Sequence, residues 1–156
     1  MNLRLQILKD NNLKLQDIQN VIGKMDVLPG AKEYLDWIRS NMELVILSDT
    51  FYEFAAPFMK KLDHPTLFCH TLSIENDMIV DYKLRLEDGK KKAVEAFKAL
   101  GFYVVATGDS YNDTTMLNEA DKGILFNAPE NVIKDFPHLE VTNDYEVLKN
   151  MITDLT

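Results

Sequence analysis

The apolar positions change their spacing near Leu28-Pro29-Gly30. Ahead of that turn Leu15, Ile18, Ile22 and Met25 recur at helical intervals with Lys and Gln between them, which predicts one amphipathic helix. Behind it, helical and continuous apolar segments alternate. Ala31 to Ser40 reads as a helix carrying Leu35, Trp37 and Ile38. Leu44-Val45-Ile46-Leu47 is a short, β-branched run bounded by polar residues, the mark of a strand buried on both faces. A helix over Phe51 to Leu62 and a strand over Thr66 to His70 are expected next, and Leu72 to Leu86 alternates around Glu75-Asn76-Asp77 as a hairpin does. Asp88 to Leu100 is the clearest amphipathic helix, with Val94, Phe97 and Leu100 on one stripe and Gly101 as its stop. The strand Tyr103-Val104-Val105-Ala106, a helix from about Asn112, the strand Gly123-Ile124-Leu125-Phe126 and a helix after Pro129 continue the alternation. Repeated units of this length imply right-handed crossovers and an α/β fold, a Rossmann-like parallel sheet covered by helices on both faces. Such sheets bind ligands beyond the carboxyl ends of their strands.

Two strand ends there carry chemistry. At Leu47-Ser48-Asp49-Thr50 a hydroxyl emerges as the apolar run stops, and Ser48 Oγ with the N–H groups of Asp49 and Thr50 can cradle a phosphate at a helix start. The same residues can simply cap that helix. At Ala106-Thr107-Gly108-Asp109-Ser110-Tyr111-Asn112-Asp113 a glycine permits close backbone approach and two carboxylates lie four residues apart. Hard oxygens of this kind suit Mg²⁺, which takes one or two protein carboxylates plus water and phosphate oxygens; the competing reading is an ordinary turn with an Asp cap. Lys90-Lys91-Lys92 opens a helix against its dipole, which one lysine aimed at a phosphate would explain and a solvated basic face would also accommodate. Arg4 is a carboxylate or phosphate reader if its helix lies over the sheet, and otherwise a surface residue.

Composition narrows the partners. Of 156 residues, 17 are Lys or Arg and 25 Asp or Glu, a formal charge of −8, so no surface is stocked to neutralise nucleic acid or an anionic membrane. A small anion held in a cleft remains compatible with that charge. The single Cys69, inside Leu67-Phe68-Cys69, allows no internal disulfide and reads as a small core residue in a reducing, cytoplasmic setting. No apolar run approaches the ~18 residues of a membrane span.

In this order, the motifs resemble those of the haloacid dehalogenase-like phosphatases. Val45-Ile46-Leu47-Ser48 is similar to their motif II, Lys90 to the motif III lysine, and Gly108-Asp109-Ser110-Tyr111-Asn112-Asp113 to motif IV. The longer stretches Val45 to Phe54, Gly108 to Met116 and Gly123 to Asn131 resemble the phosphoserine phosphatase branch, closest to its bifunctional phosphoserine phosphatase/homoserine phosphotransferase type. The resemblance implies a Mg²⁺-dependent phosphomonoester hydrolase or phosphotransferase acting on phosphoserine. By the same resemblance Ser48, with Asp49 and Thr50, holds the phosphoryl group and Lys90 neutralises it, with Lys91 as fallback. Asp109 ligates Mg²⁺, Asp113 supports the metal, Asn112 contacts phosphate or substrate, and Arg4 reads the substrate carboxylate. It makes residues 1–28 the remnant of a helical cap and 29–156 the α/β core.

The family also carries a nucleophilic Asp at the end of a strand closing in an acid-x-acid pair, and no apolar strand in this sequence ends that way. The expected core therefore lacks its central first strand, between the strand ending at Ser48 and the one ending at Asp109. Its flanking edges invite self-association. Leu3, Leu5 and Ile7 alternate and offer a substitute strand, against a helical reading that keeps Arg4 in its family role. The expected activity of these 156 residues alone is nil, and the rival reading is a non-catalytic phosphate- or metal-binding chain that associates with another.

Overall fold

The computed structural model describes residues 6–8 and 10–153. Arg4, Leu3 and Leu5 lie outside them, whereas Ile7 falls in a helical stretch. Contacts divide the chain into two compact units, Met1–Glu87 and Asp88–Thr156. Each contains its own three-stranded sheet.

In the first unit α1 (Leu15–Gly23) and α2 (Ala31–Asn41) precede β1 (Val45–Phe51), α3 (Tyr52–Lys61), β2 (Thr66–Glu75) and β3 (Met78–Lys83). The hairpin is as expected: Glu75 pairs with Met78, and Asn76 and Asp77 take φ of 49° and 67°, the left-handed pair a two-residue turn requires. That turn also caps α1, since Leu15 N donates to Asp77 O at 2.8 Å and Gln16 N to Asp77 Oδ1 at 3.3 Å. The apolar positions of α1 are thereby held on the hairpin, with Leu15 and Ile18 packed against buried Phe51, Leu72 and Ile79. Met25 falls past the end of α1 and is exposed.

The two strand segments expected at Thr66–His70 and after Leu72 are one ten-residue strand. β2 runs parallel to β1 through its first half and antiparallel to β3 through its second. A single extended run can serve both neighbours because each lies on a different edge. Cys69 sits in its middle, 2% exposed, and burial with the nearby Glu53 charge pushes its thiol up to about 11. It is an inert core residue, as expected.

The second unit runs α4 (Gly89–Ala99), β4 (Val105–Gly108), a 3-10 turn (Tyr111–Asp113), α5 (Thr114–Glu119), β5 (Lys122–Phe126), α6 (Glu130–Asp135), β6 (Glu140–Thr142) and α7 (Tyr145–Thr153). The sheet is parallel throughout, ordered β4-β5-β6. Ile124 and Leu125 are fully buried in its middle strand, with Val94, Leu117, Val132 and Leu148 around them. Gly123 is needed for this layering, because a Cβ there would meet Leu117 O at 2.3 Å.

Three expectations need correction in this unit. Val94 is buried and Phe97 half-buried, but Leu100 falls just past the helix as the C-cap of α4 and is 75% exposed. Gly101, at φ 89°, makes the stop. Tyr103 stands outside β4 and is exposed; the strand starts at Val105 and continues to Gly108. β6 and α7 were not expected at all.

Candidate functional site

Asp113 is the pivot of the β4–α5 connection. Its Oδ2 accepts the N–H of Asp109 and the N–H of Ser110 at 3.1 Å each, and the Ser110 hydroxyl at 2.9 Å. Its Oδ1 accepts Lys90 Nζ at 2.8 Å. Ser110 to Asp113 thus forms a reciprocal capping box, which the sequence spells as Ser-x-x-Asp. Both charged side chains are nearly buried, at 12% and 10% exposure for Lys90 and Asp113. Burial pushes the Asp113 carboxyl up, but the hydrogen bond and charge of Lys90, helped by Ser110, outweigh it and hold the group below its ordinary value.

Gly108 makes the arrangement sterically possible. A Cβ on it would lie 2.5 Å from Asp113 Cβ and 2.7 Å from Cγ, so the carboxylate can fold back against the strand only where no side chain stands. From the other side, Lys90 is delivered by the first turn of α4. The N-cap of that helix, Asp88, takes φ 49° and accepts the Thr115 hydroxyl at 2.8 Å, tying the start of α4 to α5. Lys91 is turned to Glu95 and Glu119 instead, so of the three lysines Lys90 is the one on the acidic loop.

The two carboxylates read as a metal pair therefore differ. Asp113 spends one oxygen inside the loop and the other on Lys90, whereas Asp109 is exposed, and among the described residues nothing is bonded to its carboxylate. No group of three or more His, Cys, Asp or Glu side chains gathers among the described residues. One exposed hard carboxylate on a rigidly held backbone fits Mg²⁺, which needs no protein cage. Asn112 is exposed on the 3-10 turn between them. Sequence reasoning missed Tyr111, whose hydroxyl donates to Asp135 Oδ2 at 2.5 Å and accepts from Asn131 at 3.3 Å, while its ring meets Phe136 edge-on.

Ser48, Asp49 and Thr50 belong to the first unit. The structure places them on β1, not at a helix start: the strand continues to Phe51, which is the N-cap of α3. Between Leu47 and Phe51 the register with β2 breaks, so that four steps on β1 oppose two on β2, from Phe68 to His70. The extra residues buckle out of the ladder as in a bulge, which is how a strand can present a hydroxyl beyond its last ordinary pair. Thr50 N donates to Ser48 Oγ at 3.3 Å, a loose local turn. Arg4 is among the residues not described.

A family model for haloacid dehalogenase-like hydrolases matches residues 3–121. Over 150 residues the chain is 55% identical to the phosphoserine phosphatase ThrH of Pseudomonas aeruginosa, covering 96% of this chain and 73% of that protein. It is 53% identical over 150 residues to a phosphoserine phosphatase of Pseudomonas syringae pv. tomato, covering 96% of this chain and 63% of that one. The fold is similar to a solved phosphoserine phosphatase in a phospho-aspartyl intermediate analogue form, with TM-score 0.73 at 22% identity over 88% of this chain and 70% of the other. An apo phosphoserine phosphatase gives the same TM-score and identity, over 88% and 73%. No described helix is long and apolar enough to cross a membrane.

Proposed function

The chain belongs to the haloacid dehalogenase-like hydrolases, within their phosphoserine phosphatase branch, and we propose that it carries the phosphate- and Mg²⁺-handling part of a phosphoserine phosphatase. The observation that supports this reading most is the buried Lys90–Asp113 pair at the carboxyl end of β4. Burying two opposite charges costs desolvation that their attraction barely repays, so an apolar pair would serve stability as well. A cation fixed at a ligand-binding strand end is the gain.

In this reading Lys90 is a point charge for phosphoryl oxygens, held in place by Asp113. Asp109 is the carboxylate that holds Mg²⁺, and Asp113 supports it by fixing the backbone N–H of Asp109. Bound Mg²⁺ would supply charge neutralisation for the transferring phosphoryl group. Ser48 donates to phosphate from its buckled strand end with Asp49 and Thr50 beside it, Asn112 contacts substrate from the exposed turn, and Arg4 reads the carboxylate. The substrate is phosphoserine, with homoserine as the phosphotransfer acceptor, and the setting is cytoplasmic serine biosynthesis.

None of these side chains is the family's nucleophile. The 156 residues accordingly bind phosphoserine and Mg²⁺ but leave it intact. Calorimetry with phosphoserine and Mg²⁺, run beside a phosphate-release assay, tests this. Saturable binding lost in Lys90→Ala, with phosphate release at the blank level, supports the reading, whereas no binding at all contradicts it.

A rival is favoured by one feature. β1, which carries Ser48, and β4, which Asp109 directly follows, are each the end strand of their sheet. Edges of that kind suit pairing with another chain, so the alternative is a non-catalytic phosphate- or metal-binding protein that self-associates or completes a partner. Light scattering across a concentration series separates the two.

A further inference from the structure

Arg85 follows β3, and its side chain reaches back over β2. The guanidinium lies over the Phe68 ring at 4.2 Å from the centroid. Its Nη1 donates to the Tyr52 hydroxyl at 3.3 Å, and the Arg85 backbone N–H donates to His70 Nδ1 at 3.1 Å. Tyr52 is itself oriented, donating its own proton to Leu67 O at 2.8 Å, so its oxygen is left to accept from the arginine. Each of these contacts orients Arg85, and none of the partners is a carboxylate.

That is unusual in a chain with 25 acidic residues against 17 basic ones. Among the described residues no carboxylate pairs with Arg85. Glu53, whose charge raises the Cys69 thiol where that of Arg85 lowers it, spends Oε2 on Leu72 N at 3.0 Å. Arg85 is exposed all the same. A guanidinium packed on one face and open along its fork is preorganised for a planar, two-oxygen anion, and little rotamer freedom is left to lose on binding. Its place is also specific, because Tyr52 opens α3 directly behind the irregular stretch between Leu47 and Phe51 that carries Ser48.

We propose that Arg85, braced by Tyr52, Phe68 and His70, binds the carboxylate of the phosphorylated amino acid. It would be a second arginine for that group beside Arg4. This rests on the phosphoserine reading above. Within the first unit the phosphate already has Ser48 as its candidate, and the carboxylate is the other anionic group such a substrate offers.

The test is a binding titration of the whole chain with Mg²⁺, using L-phosphoserine, phosphoethanolamine, which lacks the carboxylate, and inorganic phosphate. Wild type should prefer phosphoserine. Arg85→Gln should weaken phosphoserine by about tenfold or more and leave the other two within about twofold. Tyr52→Phe, which removes only the bracing hydroxyl, should give a smaller loss with the same selectivity, and Arg85→Lys should recover only part of it. Equal weakening of all three ligands would assign Arg85 to phosphate and overturn the proposal. Unchanged phosphoserine binding in Arg85→Gln, with or without a lower melting temperature, would overturn it too. Failure of wild type to bind either phosphoserine or phosphate would sink the phosphatase reading itself, and this inference with it.

Discussion

The end of β4 and the end of β1 are both candidate phosphate sites, yet they are built differently. At β4 one buried carboxylate takes four hydrogen bonds, a glycine clears its path, and a cation is clamped to it. At β1 three residues leave the ladder and keep one loose 3.3 Å bond among themselves. The first arrangement is complete in its own unit, and its geometry is over-determined. The second presents polar groups on a strand whose pairing breaks after Leu47 and resumes at Phe51. A fixed charge needs the first kind of support, because a buried lysine without its partner is costly; a neutral hydroxyl donor does not.

The sharpest way to break this contrast is at Asp113. Asp113→Ala breaks the buried pair with Lys90 and frees three loop donors, and should cost about 3–5 kcal/mol in chemical denaturation. The pH profile gives an independent check. Because the folded carboxyl lies below its ordinary 3.8, its contribution is complete above that value and is lost as pH falls through the lower, folded one. Wild type should therefore lose stability below about pH 4 more steeply than the variant. Gly108→Ala should cost about 1–3 kcal/mol, since the new methyl overlaps the Asp113 side chain and one of them must shift. Smallest of all, Ser48→Ala should change stability by no more than about 0.5 kcal/mol. If Ser48→Ala proved as damaging as Gly108→Ala, the β1 end would be a structural joint and the comparison would fail.

The sequence made the α/β alternation, the Asn76-Asp77 turn and the Gly101 stop legible because each is a local signal, either a period or a residue that tolerates positive φ. The dipole argument flags Lys90-Lys91-Lys92 together, and the choice of Lys90 among them comes from the resemblance to motif III. What could not be read depends on tertiary context. The merging of two strand segments into β2 requires knowing that β1 and β3 take opposite edges. β6 has three residues, too few for a pattern. At the site, Asp109 and Asp113 look alike in the sequence, and only folding shows that one is consumed by capping and by Lys90 while the other stays exposed. Asp113 caps the turn through Oδ2 and takes Lys90 on Oδ1. Tyr111 and Asp135 lie too far apart in sequence for any local rule to pair them.

In the proposed site Asp113 supports and Asp109 binds. Mg²⁺ titration of wild type and Asp109→Asn in the presence of inorganic phosphate, read by calorimetry with denaturation curves alongside, tests it most directly. The prediction is that Asp109→Asn loses Mg²⁺ binding while its stability stays within about 0.5 kcal/mol of wild type, as befits an exposed side chain outside the buried network. Wild-type Mg²⁺ affinity in Asp109→Asn would contradict the division of labour between the two carboxylates.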